Sequence, residues 1–231
     1  MAEKKADVIF TDPPYGMQLD TDYTSMASKI TETGGTKYDQ GKVDEFSPEM
    51  IEIIMSMPSR ETFLWGADYY AEYLPDRNSG SWIVWDKRGE GEDEDADEVS
   101  DKMFGSCFEL CWSKKKHKRE IARIKWAGLF GLSEEFDKKR YHPTQKPIKL
   151  VAWFLKRYSK KNDIIVDPYG GSGSTLIACE QLKRKCFMCE IDEHYCDIII
   201  QRWENLTGQE AVLLERNEKE NVESQDQKSL H

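Results

Sequence analysis

Two short runs in this chain join acids, prolines, glycines and a ring at spacings that could do chemistry. In VIFTDPPYG, Val8 to Gly16, Asp12 is followed by Pro13, Pro14 and Tyr15. An ionised carboxylate only accepts hydrogen bonds, the Pro13 carbonyl is a second acceptor beside a nitrogen that carries no donor, and Tyr15 adds a flat apolar face. Those are the parts needed to grip a planar amine. In IIVDPYGGSGST, Ile164 to Thr175, Asp167, Pro168 and Tyr169 lead into Gly170, Gly171, Ser172, Gly173, Ser174 and Thr175. Glycines let a backbone approach a ligand closely, and the amino end of the helix that follows favours an anionic group.

The elements that must hold these runs are legible around them. Val8 to Thr11 and Ile164 to Asp167 read as short buried strands, so each acid stands at a strand's carboxyl end, the edge where open α/β sheets bind ligands. Ser47 caps a helix with Pro48 in its first position, Phe46 stapling onto Ile51, and an end near Met57. Thr62 to Trp65, closed by Gly66, and Ser81 to Lys87 read as strands; Asp68 to Leu74 reads as a helix. The segment from Met103 alternates as strands do. Pro147 opens a helix with Ile148, Val151, Leu155 and Tyr158 on one face. A helix to Leu182 precedes a strand from Cys186 to Glu190. Glu190, an acid ending the second strand about twenty residues past a glycine loop, is the expected reader of a ribose hydroxyl. A helix from about His194 to Leu206 stops at Gly208 in an αL cap, and Glu210 to Leu214 reads as a third strand. Met17 to Gly41 lacks periodicity and reads as a loop beside the catalytic edge.

Composition bounds the partners. The 231 residues fit one α/β domain with insertions. The net charge of −10 gives no global attraction to phosphate. Any nucleic-acid contact must come from a local patch, and Lys114, Lys115, Lys116, Lys118, Arg119, Arg123 and Lys125, interleaved with Trp112 and Trp126, form the one dense enough to track phosphates. The acidic run GEGEDEDADE reads as a solvated loop. Cys186, Cys189, His194 and Cys196 crowd together, but strand residues three apart face opposite ways. No metal site is expected, and the six cysteines read as reduced thiols of a cytoplasmic protein. There is no run of 18 apolar residues, and the opening MAEKKAD has no apolar signal core behind it, so no membrane or export segment is expected.

With DPPY closing one strand and DPYGGSGST another, the chain resembles the amino-group DNA methyltransferases, which methylate the exocyclic amine of adenine or cytosine. HPTQKP, His142 to Pro147, is similar to that family's motif for the amino-acid end of its cofactor. The resemblance implies a Rossmann-like α/β sheet that binds S-adenosylmethionine and releases S-adenosylhomocysteine. Asp167 to Thr175, Glu190 and Asp12 would line the cofactor site. Thr144, Gln145 and Lys146 would hold the methionine carboxylate at a helix amino end, with His142 as scaffold. The order of motifs, catalytic first and glycine loop last, is the circularly permuted β class, with a target-recognition segment inserted between them. Residues 1–214 would form the methyltransferase domain, about 88–140 its acidic loop and recognition insertion, and 215–231 a disordered tail. In this arrangement the AVLL strand belongs with the half of the sheet that holds VIFT. The chain departs from the pattern ahead of DPPY, where relatives carry a further strand and Gly-Asp turn against the cofactor's adenine; Arg216 and Asn217 are candidates to stand in.

The function expected is adenine methylation in double-stranded DNA after base flipping, since DPPY is the usual adenine form and SPPY the usual cytosine form. Cytosine methylation, a cofactor-binding but inactive DNA-binding subunit, and RNA or protein glutamine as substrate are the competing readings. A second copy of the chain and a restriction endonuclease are the further partners the resemblance admits.

Overall fold

The protein is described as a computed structural model that places residues 5–16, 45–75, 77–88, 106–126 and 135–214. The expected loop at 17–41, the acidic run, the 215–231 tail, and Arg216 and Asn217 within it lie outside the described residues.

One mixed sheet of seven strands organises the chain, in the order β5-β3-β4-β2-β1-β6-β7. The strands are β1 (Ala6–Thr11), β2 (Ser59–Trp65), β3 (Ser81–Asp86), β4 (Phe108–Ser113), β5 (Ile121–Arg123), β6 (Ile164–Asp167) and β7 (Lys185–Met188). The helices are α1 (Pro48–Ser56), α2 (Ile148–Tyr158), α3 (Ser174–Leu182) and α4 (Glu193–Thr207). β1 lies between β2 and β6 and parallel to both, with Thr11 level with Leu64 and Ile9 level with Val166. Only β4 runs against its neighbours.

Covering both faces of a parallel strand demands an unbroken apolar run, and β1 supplies one. Val8 and Phe10 join the core formed with Phe63, Trp65, Trp85, Phe154 of α2 and Ile177 of α3. Ile9 points the other way, into a smaller core with Leu64, Trp112, Tyr70 and Ile51 and Ile54 of α1. This is the α/β architecture expected from the sequence.

Four local expectations need correction. Asp68 to Leu74 forms only a 3-10 turn at Ala71–Tyr73, because its amides bond three residues back and the Tyr70 hydroxyl is anchored on the Trp65 carbonyl at 2.7 Å. The strand after α3 ends at Met188, short of Glu190. Ser47 precedes α1, but its hydroxyl bonds the Glu49 carboxylate and not a backbone amide. Glu210 to Leu214 is no strand: Thr207 and Glu204 side chains accept from the Gln209 and Ala211 amides, keeping the chain beside α4 and leaving Leu213 94% exposed. The neighbours of β1 are β2 and β6, and β7 is the outermost strand on that side.

Candidate active site

Because β1 and β6 are adjacent and parallel, DPPY and the glycine loop leave the sheet side by side at one edge. The Thr11 hydroxyl fastens them, donating to Asp167 at 2.8 Å, and the Thr175 hydroxyl donates to the same carboxylate at 2.6 Å. The Tyr169 amide is its third donor, at 3.1 Å. Burial pushes the Asp167 carboxyl up to about 7 despite these donors. Asp167 therefore joins the two motifs, and its oxygens face the protein's own hydroxyls.

In the loop, Gly173 has φ +82 and lies against Ile199 of α4, while Gly170 lies so near Met188 that a Cβ would come within 2.7 Å of its side chain. Gly171, at φ +52, would point a Cβ into open space. Its amide donates to Glu190 at 2.7 Å, and the other Glu190 oxygen accepts from Ile191 and Asp192 amides. Glu190 thus stands beside the loop, as its spacing implied. Ser172 and Ser174 are buried. The Ser174 hydroxyl has no partner within the protein, and the Ser172 carbonyl accepts from buried Arg202 at 2.6 Å. Arg202, which also pairs with Asp137 at 2.7 Å, holds the loop to α4. An open glycine face, a carboxylate beside it and a buried unpaired hydroxyl at the start of α3 fit a nucleoside-bearing cofactor.

At the β1 end, the Lys146 ammonium binds one oxygen of Asp12, Oδ2. Oδ1 is buried and without a partner. Burial raises the Asp12 carboxyl, with Lys146 opposing. Lys146 also reaches Glu109 of β4 at 3.1 Å, and Lys87, just past β3, reaches the other Glu109 oxygen at 2.5 Å. The ammonium sits 5.7 Å from the centre of the Trp65 ring. Pro13 is buried and Pro14 half-buried. Tyr15 stacks on Tyr69 with ring centres 4.8 Å apart and planes 13° from parallel. Gly66, at φ +64, lies so close to Tyr15 that a Cβ there would meet the ring at 2.4 Å. Tyr69 is 60% exposed.

The HPTQKP segment is differently employed than the resemblance implied. Lys146 faces two carboxylates of the chain itself. The amide of Ile148, at the start of α2, is taken by Glu135, whose oxygens lie 3.0 and 3.2 Å away. Gln145 accepts from the Tyr141 amide at 2.8 Å, leaving its amide nitrogen buried without a partner. His142 accepts at Nδ1 from the Thr144 amide and packs 4.5 Å from the Tyr195 ring. Burial, with Lys146 and Arg140 nearby, lowers its pKa to about 4.

The basic stretch is divided by the sheet. The Lys114 amide bonds the Thr62 carbonyl and the His117 amide bonds Ser81, so Lys114, Lys115, Lys116, Lys118 and Arg119 lie toward the amino ends of β2 and β3. From there to the catalytic edge is the length of β3, roughly 17 Å at about 3.3 Å per residue. β5 then runs parallel to β3 and carries the exposed Arg123 and Lys125 to that edge, where Ile124 and Trp126 amides bond Asp86 and Lys87. Trp112 and Trp126 are 1% and 5% exposed, so neither can meet a base. Tyr69, Glu109, Lys87 and Arg202 carried no motif; only the fold brings them to the site.

A family model described as DNA methylase matches residues 61–201. The type II methyltransferase M.HpaI of Haemophilus parainfluenzae is 26% identical over 228 residues, spanning 87% of this chain and 69% of the relative. Among solved structures, the M1.HpyAVI complex with SAM superposes with a TM-score of 0.54 at 19% identity, covering 86% of this chain and 89% of its own. TTHA0409 of Thermus thermophilus superposes with a TM-score of 0.52 at 14% identity, covering 91% and 92%. These two share the fold. Among the described residues no helix is long and apolar enough to cross a membrane, and no group of His, Cys, Asp and Glu could hold a metal ion.

Proposed function

The chain belongs to the DNA methylase family, and from that premise we propose that it transfers a methyl group from S-adenosylmethionine to the exocyclic amine of adenine in double-stranded DNA. The observation that carries this reading is the unpartnered Oδ1 of Asp12, buried beside a glycine loop on the adjacent strand. Adenine is favoured over cytosine by the acid at the head of DPPY. The relative M.HpaI is a type II methyltransferase, which agrees with methyl transfer, and M1.HpyAVI was solved with SAM, which agrees with the cofactor. A substrate of intracellular DNA implies a cytoplasmic protein.

Bound S-adenosylmethionine supplies an electrophilic methyl group on a sulfonium sulfur. The rest falls to the chain. An aromatic amine is a poor nucleophile because its lone pair is delocalised into the ring. Asp12 Oδ1 and the Pro13 carbonyl each accept one N–H of the amine, which localises that pair and aims it. Lys146 holds Oδ2, so the carboxylate presents Oδ1 without having to reorient; orientation and electrostatics supply the acceleration. A base is out of reach inside a duplex and must be flipped. Tyr15 stacks on it once Tyr69 moves aside, which a largely exposed ring on a turn can do. Glu190, beside Gly171, takes the ribose hydroxyls. Arg123 and Lys125, on the catalytic edge, meet phosphates, and a second copy of the chain or a restriction endonuclease would be a further partner.

Incubation with tritiated S-adenosylmethionine and mixed-sequence duplex DNA, followed by nucleoside separation, tests the reading. Tritium in N6-methyladenine is expected. Label in N4-methylcytosine would transfer the proposal to cytosine, and none in DNA would leave a cofactor-binding but inactive DNA-binding subunit.

A further inference from the structure

We propose that Glu109 is a positioning residue for the methyl-transfer site: it shares the Lys146 ammonium with Asp12 and takes over that cation when Asp12 is neutralised. The inference rests on the methyltransferase reading above. Lys87, Glu109, Lys146 and Asp12 form a row of alternating charge, drawn from the end of β3, the start of β4, the approach to α2 and the end of β1. The reversal of β4 is what makes this possible. Because β4 runs against β3, its second residue stands at the carboxyl edge, opposite Trp85. No motif spacing connects these positions.

Charges gathered around a buried ammonium, with Asp12, Glu109 and Lys87 20%, 24% and 22% exposed, are costly to bring together. Apolar residues of similar size would be as stable or more so, and Lys146 is only 9% exposed. The arrangement makes chemical sense if one of the charges disappears during turnover. When the amine is methylated, a nitrogen–carbon bond forms while the methyl carbon's bond to the sulfonium sulfur breaks, the electron pair remaining on sulfur. The nitrogen must then release a proton. An N–H bond breaks, its pair stays on nitrogen, and the proton goes to Asp12 Oδ1, the acceptor already in contact. Asp12 becomes neutral, and Lys146 would be left buried with no counter-charge. Glu109, 3.1 Å from the ammonium and held from behind by Lys87, supplies it. The move from Asp12 to Glu109 requires rotation of one lysine side chain and no backbone motion. When Asp12 gives its proton to solvent, the ammonium returns and Oδ1 is again presented.

Exchange of charge for an isostere tests this through the pH dependence of single-turnover methyl transfer. The groups that sense Asp12 are Lys146, Glu109, Lys87, Tyr15, Tyr70, Cys111 and Asp167. Glu109 raises the Asp12 carboxyl and Lys87 lowers it. Glu109→Gln should therefore slow the step ten- to a hundredfold and move its acid limb to lower pH. Lys87→Gln should slow it less and move the limb to higher pH. Glu109→Asp, which keeps the charge, should recover part of the rate. Affinity for S-adenosylmethionine, by calorimetry, should stay within twofold in all three and also in Lys146→Met.

Limbs that do not move in opposite directions, or a rate unchanged in Glu109→Gln, overturn the inference. If Glu109→Gln does not fold, the Lys87→Gln limb alone decides. A tenfold loss of cofactor affinity in Lys146→Met would return Lys146 to the methionine carboxylate and overturn the inference as well. Wild-type protein without methyl transfer would overturn the parent reading and this one with it, which distinguishes the two failures.

Discussion

The Tyr15 ring packs close to the backbone of Gly66 and stacks on the ring of Tyr69, with centres 4.8 Å apart. On the proposed function, a flipped base cannot enter between rings so spaced. It must replace Tyr69, breaking an aromatic pair worth about 0.5–1.5 kcal/mol. Tyr69→Ala should consequently favour base capture by roughly two- to tenfold, whereas Tyr15→Ala, which removes a stack worth ~1–3 kcal/mol, should weaken it. Fluorescence of 2-aminopurine at the target position reports both. Equal losses in the two variants would mean that Tyr69 is part of the base's own pocket.

Gly171 and Gly170 are neighbours with opposite expectations. A side chain at Gly171 would enter the open space over the loop, while one at Gly170 would strike Met188. Gly171→Trp should abolish or strongly weaken S-adenosylmethionine binding in calorimetry, and lower the melting temperature only through the backbone strain of a side chain at φ +52. Gly170→Ala should cost about 1–3 kcal/mol of stability through overpacking and lower the melting temperature accordingly. Cofactor affinity unchanged in Gly171→Trp would remove the loop from the site.

How far the sequence speaks for itself follows from what each signal depends on. DPPY and DPYGGSGST are local: each encodes a strand, its end and a turn in one run of residues, and the structure has both. The helices around Ile51, Val151, Ile177 and Ile199 are legible for the same reason, since periodicity and caps are local. Glu109 and Lys87 are silent because they join the Lys146–Asp12 pair only through the reversal of β4, which no spacing announces. The basic stretch reads as one surface along the chain, yet β3 and β5 carry its two ends to opposite sides of the sheet. Trp112 and Trp126, which their basic neighbours suggest as DNA-facing rings, are core. Lys146 has the sequence context of an anion binder, but its anions are Asp12 and Glu109.

That division of the basic stretch makes a salt experiment informative. Each phosphate neutralised contributes about 0.9 to the slope of log affinity against log salt. Reversal of charge at Arg123 and Lys125 should flatten the slope by nearly two. Reversal at Lys115 and Lys118, toward the far edge, should leave it unchanged. Were the second pair to flatten it instead, the DNA would have to cross the amino side of β2 and β3.

The start of α2 should give stability its own pH dependence. Burial raises the Glu135 carboxyl from its ordinary 4.5 to about 7. Between those values the folded chain keeps a proton that the unfolded chain has released, so stability falls as pH rises through this window. His142, lowered to about 4, acts with the opposite sign, and Asp167, raised to about 7, with the same sign. Only a difference isolates Glu135. Glu135→Gln keeps an acceptor for the Ile148 amide and removes the titration. In urea unfolding it should match wild type near pH 4.5 and exceed it at pH 8 by up to about 3 kcal/mol, since each pH unit between the two pKa values is worth about 1.4 kcal/mol. A difference that stays constant from pH 4.5 to 8 would show that Glu135 does not titrate in this range.

Asp12 bears the heaviest claim, and its two oxygens let the claim be divided. Oδ2 belongs to Lys146, and Oδ1, buried and without a partner, is the acceptor proposed for the amine. Asp12→Ala removes both, so single-turnover methyl transfer should fall by about a hundredfold or more, as loss of one transition-state electrostatic contact costs on the order of 3 kcal/mol. Cofactor affinity should change little, since the glycine loop and Glu190 lie past β6 and past β7. Asp12→Asn separates acceptor from charge. Its amide oxygen can still accept one N–H of the amine, while its NH2 would face the Lys146 ammonium and push that cation toward Glu109, 3.1 Å away. Residual activity above that of Asp12→Ala is expected, with the acid limb of the rate profile gone because no carboxyl remains at that position. An acid limb that persists in Asp12→Asn would assign the titration to another group, and wild-type turnover in Asp12→Ala would reduce Asp12 to a turn residue.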